Sequence, residues 1–191
     1  MFPDFAIYPP EFNAARLHTG PGPDSMLAAA RNWSQLASDL GAATENIGAV
    51  LEALTEVWQG PAAIRMAEAA LSYRAWLVEV SNLAETTAKL TRRTARAYQT
   101  AHFSMVPSAV IADNVAKRAQ LIQTNLLGNN APAIAALDAK YMRYWAQNAW
   151  AMNVYADDAL DEMSLQTPFA EAPQITNKPE LAQGPNEGYY A

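Results

Sequence analysis

Chemistry needs groups that can converge, and few are on offer. His18 and His102 are the only imidazoles, and without cysteine there is no thiolate nucleophile, no disulfide and no sulfur ligand for a metal. The two histidines stand in different segments with no His-Glu-x-x-His neighbourhood, so surface or helix-packing roles are expected for both. Asp157, Asp158, Asp161 and Glu162 fall within two helical turns, a spacing that could hold a hard cation or serve acid–base work. No histidine or further acid stands at matching spacing, and a solvated helix face is expected. Gly20-Pro21-Gly22-Pro23 has the glycine content of a phosphate loop but lacks the Gly-Lys-Ser/Thr ending and follows no strand; it reads as a turn. Arg92, Arg93 and Arg96 make a basic spot, expected as surface charge ahead of a dock for an acidic partner. No catalytic, cofactor-binding or metal-ligating residues emerge, and a non-enzymatic protein is expected.

The balance of 13 basic against 19 acidic groups gives a net charge of −6, which argues against a nucleic-acid partner held by many phosphate contacts. The longest uncharged run, 119–137, carries three Asn, two Gln, a Gly and a Pro and cannot pass as a bilayer-spanning helix, so no transmembrane segment is expected. Met1-Phe2-Pro3-Asp4-Phe5 lacks the basic start and apolar stretch of a secretory signal. Export, if it occurs, would need another route.

These sparse polar groups must be carried by helices, because apolar residues make up 51% of the chain and alanine supplies much of that share. Proline and glycine punctuate it. After Pro9 and Pro10 comes a short stretch, 11–18, then the turn at 20–23, with Asp24 or Ser25 as a helix cap. One long helix is expected over 25–57. Gly60 and Pro61 then read as a C-terminal glycine and a first-turn proline, opening a second long helix over 62–105. Shorter helices are expected over 108–126 and from Pro132 to about Leu165, separated by Gly128-Asn129-Asn130. The fold class is therefore all-α. Residues 1–165 form the expected helical domain, and the proline-rich stretch 166–191 is expected to be a disordered tail.

The apolar stripes on the long helices are wide. Met26, Ala30, Trp33, Ala37, Leu40, Thr44, Ile47, Leu51, Leu54 and Trp58 follow alternating steps of four and three, and a second line (Leu36, Leu40, Ala43, Ile47, Val50, Leu54, Val57) lies beside the first. Gly41 and Gly48 would weaken this helix by about 1 kcal/mol each unless they allow a close approach. On the second long helix the rhythm runs through Tyr73, Leu77, Val80, Ala84 and on to Tyr98. Two such helices cannot cover themselves, and the shorter pair cannot sheath their whole length. Physics alone points to a helical interaction protein whose partner contributes further helices.

Four motifs in order then match a known pattern. Tyr8-Pro9-Pro10-Glu11-Phe12-Asn13 with the turn at 20–23 and Asp24-Ser25-Met26-Leu27-Ala28-Ala29-Ala30 resembles the start of the mycobacterial PPE family, named for its Pro-Pro-Glu. Trp58-Gln59-Gly60 is similar to that family's Trp-x-Gly turn. The stretches 124–135 and Tyr144-Trp145-Ala146-Gln147-Asn148 resemble its fourth-to-fifth helix connection and fifth helix.

The resemblance implies an elongated five-helix PPE-type fold in which two long antiparallel helices form a four-helix bundle with the hairpin of a PE-family protein. It implies export of this heterodimer through a type VII (ESX) secretion system after recognition by an EspG-type chaperone, and a part in host interaction or virulence. Met26, Trp33, Leu40, Ile47, Leu54, Tyr73, Leu77, Val80 and Tyr98 become candidates for the PE-facing seam, and Asn125, Leu126, Leu127, Gly128, Asn129 and Asn130 for the chaperone-binding tip. Trp58 and Gly60 supply the turn of a bipartite secretion signal. Its other half, Tyr-x-x-x-Asp/Glu, is absent, since no tyrosine here has an acid four residues on, and is expected from the partner. The chain resembles the short, tail-less members, secreted or at the cell surface and transiently cytoplasmic with the chaperone. No cofactor is implied. From another class of function, a helical module acting on lipid surfaces would need liposome binding, which the acidic charge balance does not favour.

Overall fold

A computed structural model describes residues 4–175. Among these residues there are five α-helices, two short 3-10 turns and no strand: α1 Pro10–His18, α2 Asp24–Val57, α3 Pro61–Ser104, α4 Ser108–Gln123 and α5 Ala131–Ser164, with the turns at Phe5–Ile7 and Leu126–Gly128. The all-α class follows from the alanine-rich composition and the proline–glycine punctuation. Pro9 caps α1 and Pro10 takes its first position, where a missing N–H costs nothing. Gly60 adopts φ 111°, which lets the chain leave α2 and enter α3 at Pro61. The helix expected over 108–126 stops earlier, at Gln123, because the Asn130 amide donates to the Leu121 carbonyl (2.9 Å) and to Thr124 Oγ1 (3.0 Å), ending the ladder.

The described residues fall into two units, and α2 and α3 contribute to both. The first comprises the residues up to Asn32 with Thr87–Gln166. Its core gathers Phe5, Leu17, Tyr98, Met105, Ile111 and Met152, around which α1, α4, α5 and the Phe5–Ile7 turn pack. The second comprises Trp33–Thr86 with the residues from Thr167 onward. There α2 and α3 are tied by Ser81 Oγ donating to the Ala37 carbonyl (2.8 Å) and Ser34 Oγ donating to the Glu85 carboxylate (2.9 Å). Ala37, Thr44, Gly48 and Leu51 of α2 are buried, as are Ala63, Leu77 and Ala84 of α3. Residues 167–175, the described start of the expected tail, lie on this second unit: Phe169 stacks on Trp33 (5.8 Å, 12°) and Trp76 Nε1 donates to the Ala170 carbonyl (2.9 Å). The remainder of that tail lies outside the described residues.

Candidate interaction surfaces

Three surfaces carry the residues singled out by the sequence. The first is the N-terminal motif, where the side chains of α5 read the backbone of the opening residues. Asn148 is fully buried; its Nδ2 donates to the Pro10 carbonyl (3.0 Å) and the Val106 carbonyl (3.3 Å), while its Oδ1 accepts from the Val106 N–H (2.7 Å). Trp145 Nε1 donates to the Ala6 carbonyl (2.9 Å), and Asn153 Oδ1 accepts from the Phe5 N–H (3.1 Å). Tyr141 donates its hydroxyl to the Glu11 carboxylate (3.0 Å). Burial pushes the Tyr141 hydroxyl above the usual tyrosine range, and the Glu11 hydrogen bond and charge push it the same way. Pro10 and Asn13 are fully buried, and Asn13 Nδ2 donates to the Phe5 carbonyl (3.0 Å). Pro9, Pro10 and Glu11 thus act as a clasp closing the N-terminus on α5. Asp4 belongs to it: the Ala6 N–H, then the Asn153 amide, hold its carboxyl below the usual range.

The second surface is the tip between α4 and α5. Asn125 Oδ1 accepts from the Asn130 N–H (2.8 Å), so the two asparagines close the loop on itself. Leu127 sits at φ 58°, a left-handed conformation that costs a leucine about 1–2 kcal/mol. The turn throws both leucines outward, Leu126 77% and Leu127 99% exposed, where neither contributes to the core. Strain and exposed leucine together are features that selection for stability alone would remove.

The third surface lies in the second unit. Trp58 is 43% exposed, and a shallow groove of about 410 Å³ runs from it past Ala63, Ile64, Ala67 and Leu71. Val50, Leu54 and Val57 of α2 and Ile64, Leu71 and Val78 of α3 are all exposed. The nine residues expected to face a partner divide. Leu77 is buried in this unit, Tyr98 is buried in the core of the first unit with its hydroxyl on the Leu17 carbonyl (2.7 Å), and Met26 packs against that same core. Trp33, Leu40, Ile47, Tyr73 and Val80 are half-buried, and Leu54 is exposed. The second apolar line of α2 is therefore the more exposed one, because Ala37, Thr44 and Leu51 of the first line are buried, with the Ala37 carbonyl accepting from Ser81 of α3.

The remaining chemical candidates are absorbed locally. His18 and His102, expected apart, meet edge to face at 4.4 Å between ring centres, with the Tyr98 and Phe103 rings beside His102. No local spacing could reveal this, since α1 and α3 bring them together. Glu162 pairs with Arg93 (3.7 Å), so the acidic cluster and the basic spot offset each other there. Among the described residues, no group of three or more acidic or histidine side chains could hold a metal ion, and no helix is long and apolar enough to cross a membrane.

Comparison with known proteins places this arrangement. The chain is 44% identical over 178 residues to the PPE family protein PPE29 of Mycobacterium tuberculosis, covering 93% of this chain and 42% of that one. It is 46% identical over 175 residues to PPE19 of the same organism, covering 91% and 44% of the two chains. It is 43% identical over 175 residues to a protein named transporter PPE51, also from Mycobacterium tuberculosis, covering 91% and 46%. The chain spans less than half the length of these relatives. The model of the PPE family matches residues 4–165, from the first described residue through the end of α5. With the Pro-Pro-Glu clasp, the Trp-x-Gly turn and the asparagine-closed tip all inside the matched stretch, the chain belongs to the PPE family.

Proposed function

We propose that this chain is the PPE half of a heterodimer with a PE-family protein, a non-enzymatic pair exported folded through a type VII (ESX) secretion system and acting in host interaction. The observation that carries the reading is the row of exposed apolar side chains on α2 and α3, Val50, Leu54, Val57, Ile64, Leu71 and Val78, beside the half-exposed Trp58. A second helical hairpin laid on them would contribute of the order of 5 kcal/mol from these six side chains alone. Trp58 and Gly60 then present one half of the secretion signal, and the partner presents the Tyr-x-x-x-Asp/Glu half. The tip at 125–130 is the dock for an EspG-type chaperone, which would cover Leu126 and Leu127 in the cytoplasm before release to the outside.

Size-exclusion chromatography with light scattering, on the chain alone and co-expressed with PE proteins, tests the pairing. Soluble protein at the mass of a one-to-one pair, obtained only on co-expression, is the expected result. A soluble, stable monomer in the absence of any partner would overturn the reading.

A further inference from the structure

Among the described residues, one cation of the second unit has a buried N–H with no acceptor. Arg74, in the first half of α3, is half-buried, and a Cβ placed on Gly48 of α2 would lie 2.8 Å from its Nη2, 2.9 Å from its Cζ and 3.4 Å from its Nη1. The guanidinium is therefore pressed against the α2 backbone in a notch that glycine leaves open. Its Nε is buried without a hydrogen-bond partner, and among the described residues no carboxylate pairs with it. Glu45 and Glu52 stand three residues before and four after Gly48 on the same helix, yet both are exposed and neither reaches the group. A guanidinium cannot shed its proton to escape this, and the buried Nε–H is left with an unmade hydrogen bond, which an acceptor docking here would supply.

The surroundings say what kind of acceptor fits. Leu71 and Val78, three residues before and four after Arg74, share its side of α3 and are 56% and 48% exposed. The patch thus reads apolar, cation, apolar along one helix face. A free phosphate would satisfy the guanidinium and leave both apolar side chains in water, whereas a helix carrying a carboxylate between apolar residues would satisfy all three. We infer that Arg74, held on Gly48, is the receptor for a carboxylate of the partner's helical hairpin and fixes the register in which that hairpin docks. The inference rests on the proposed pairing. Its physical basis is that a carboxylate accepts two parallel N–H bonds from a guanidinium, while a hairpin slipped by one turn would leave both charges unpaired.

The test uses the purified pair of this chain with a PE protein that co-elutes with it. Arg74→Met should weaken the pair roughly tenfold to a hundredfold in dissociation constant, and Arg74→Lys should restore only part of the loss. Gly48→Ala should weaken it as well by pushing the guanidinium off α2, although alanine favours the helix. Each acidic residue of the PE hairpin is then replaced by its amide. One such position should weaken the unsubstituted pair by a similar factor and add little to Arg74→Met, the mark of a direct couple. If no acid couples to Arg74, or if Arg74→Met pairs as tightly as the parent, the inference is overturned while the pairing stands. If no PE protein pairs with the unsubstituted chain, the pairing falls and takes this inference with it.

Discussion

Replacing Asn148 by leucine removes three hydrogen bonds at once: Pro10 C=O and Val106 C=O lose a donor, and Val106 N–H loses its acceptor. Asn148 is fully buried, and so is Pro10, so water cannot substitute without opening the core. A buried donor left unmade costs about 1–3 kcal/mol, and the two carbonyls add smaller amounts, giving about 3 kcal/mol in all for Asn148→Leu. For a chain of this size that corresponds to a fall of about 6–12 °C in melting temperature. Thermal unfolding followed by far-UV circular dichroism, on the purified pair, measures it. Asn148→Asp serves as control: it keeps an acceptor for Val106 N–H but sets a charge against two carbonyls, so it should destabilise at neutral pH and recover partly in acid as the carboxyl gains a proton. A fall of less than about 2 °C for Asn148→Leu would refute the reasoning, since the clasp would then be dispensable.

At the tip, Leu126→Asp combined with Leu127→Asp should abolish chaperone binding in a pull-down while the pair still forms; loss of both would mean that the tip supports the fold. Leu127→Gly should have opposite effects on two measurements, relieving the left-handed strain by about 1 kcal/mol in a melting experiment while weakening the chaperone complex. In alkali, Tyr141 and Tyr155 both have raised pKa values, Tyr155 through burial first and then the nearby Tyr98. Protonated tyrosine is thus favoured by the fold, so their contribution is complete below the unfolded value near 10 and is lost as pH rises through the folded values. Melting temperature should fall above about pH 10, and less steeply for Tyr141→Phe; parallel curves would remove the linkage.

Helices were legible because their boundaries are written locally: Gly60-Pro61, Pro107 and Pro132 punctuate the chain where α3, α4 and α5 begin. The all-α class, the two long helices and the turn at Trp58 followed from that punctuation and from period. The end of α4 was not legible, since it is set by Asn130, which reaches back nine residues to Leu121. Nor could period choose between two adjacent apolar lines on α2; the small residues Ala37, Thr44 and Gly48 decide which line can approach α3. The sequence flagged Gly48 as a point of close approach, but what approaches is the guanidinium of Arg74, 26 positions away on another helix. Asn148 and Glu11 were visible only as parts of motifs. Their partners stand at separations of 138 and 130 residues, beyond any local pattern.

Those separations bear on synthesis. The backbone groups of Phe5, Ala6 and Pro10 find their acceptors and donors at Asn153, Trp145 and Asn148, between 138 and 148 residues later in the chain. A ribosome adding about 5–20 residues per second emits the opening motif on the order of ten seconds before the side chains that receive it. Through that interval α1 can already meet α3, where Tyr98 donates to the Leu17 carbonyl, but the backbone groups of Phe5, Ala6 and Pro10 that α5 receives stay unmade, and a nascent chain halted before Asn148 should leave this segment more open to protease. The Pro-Pro-Glu segment is thus translated well before its clasp can close, and the arrival of α5, not the emergence of the motif, sets the moment at which it does.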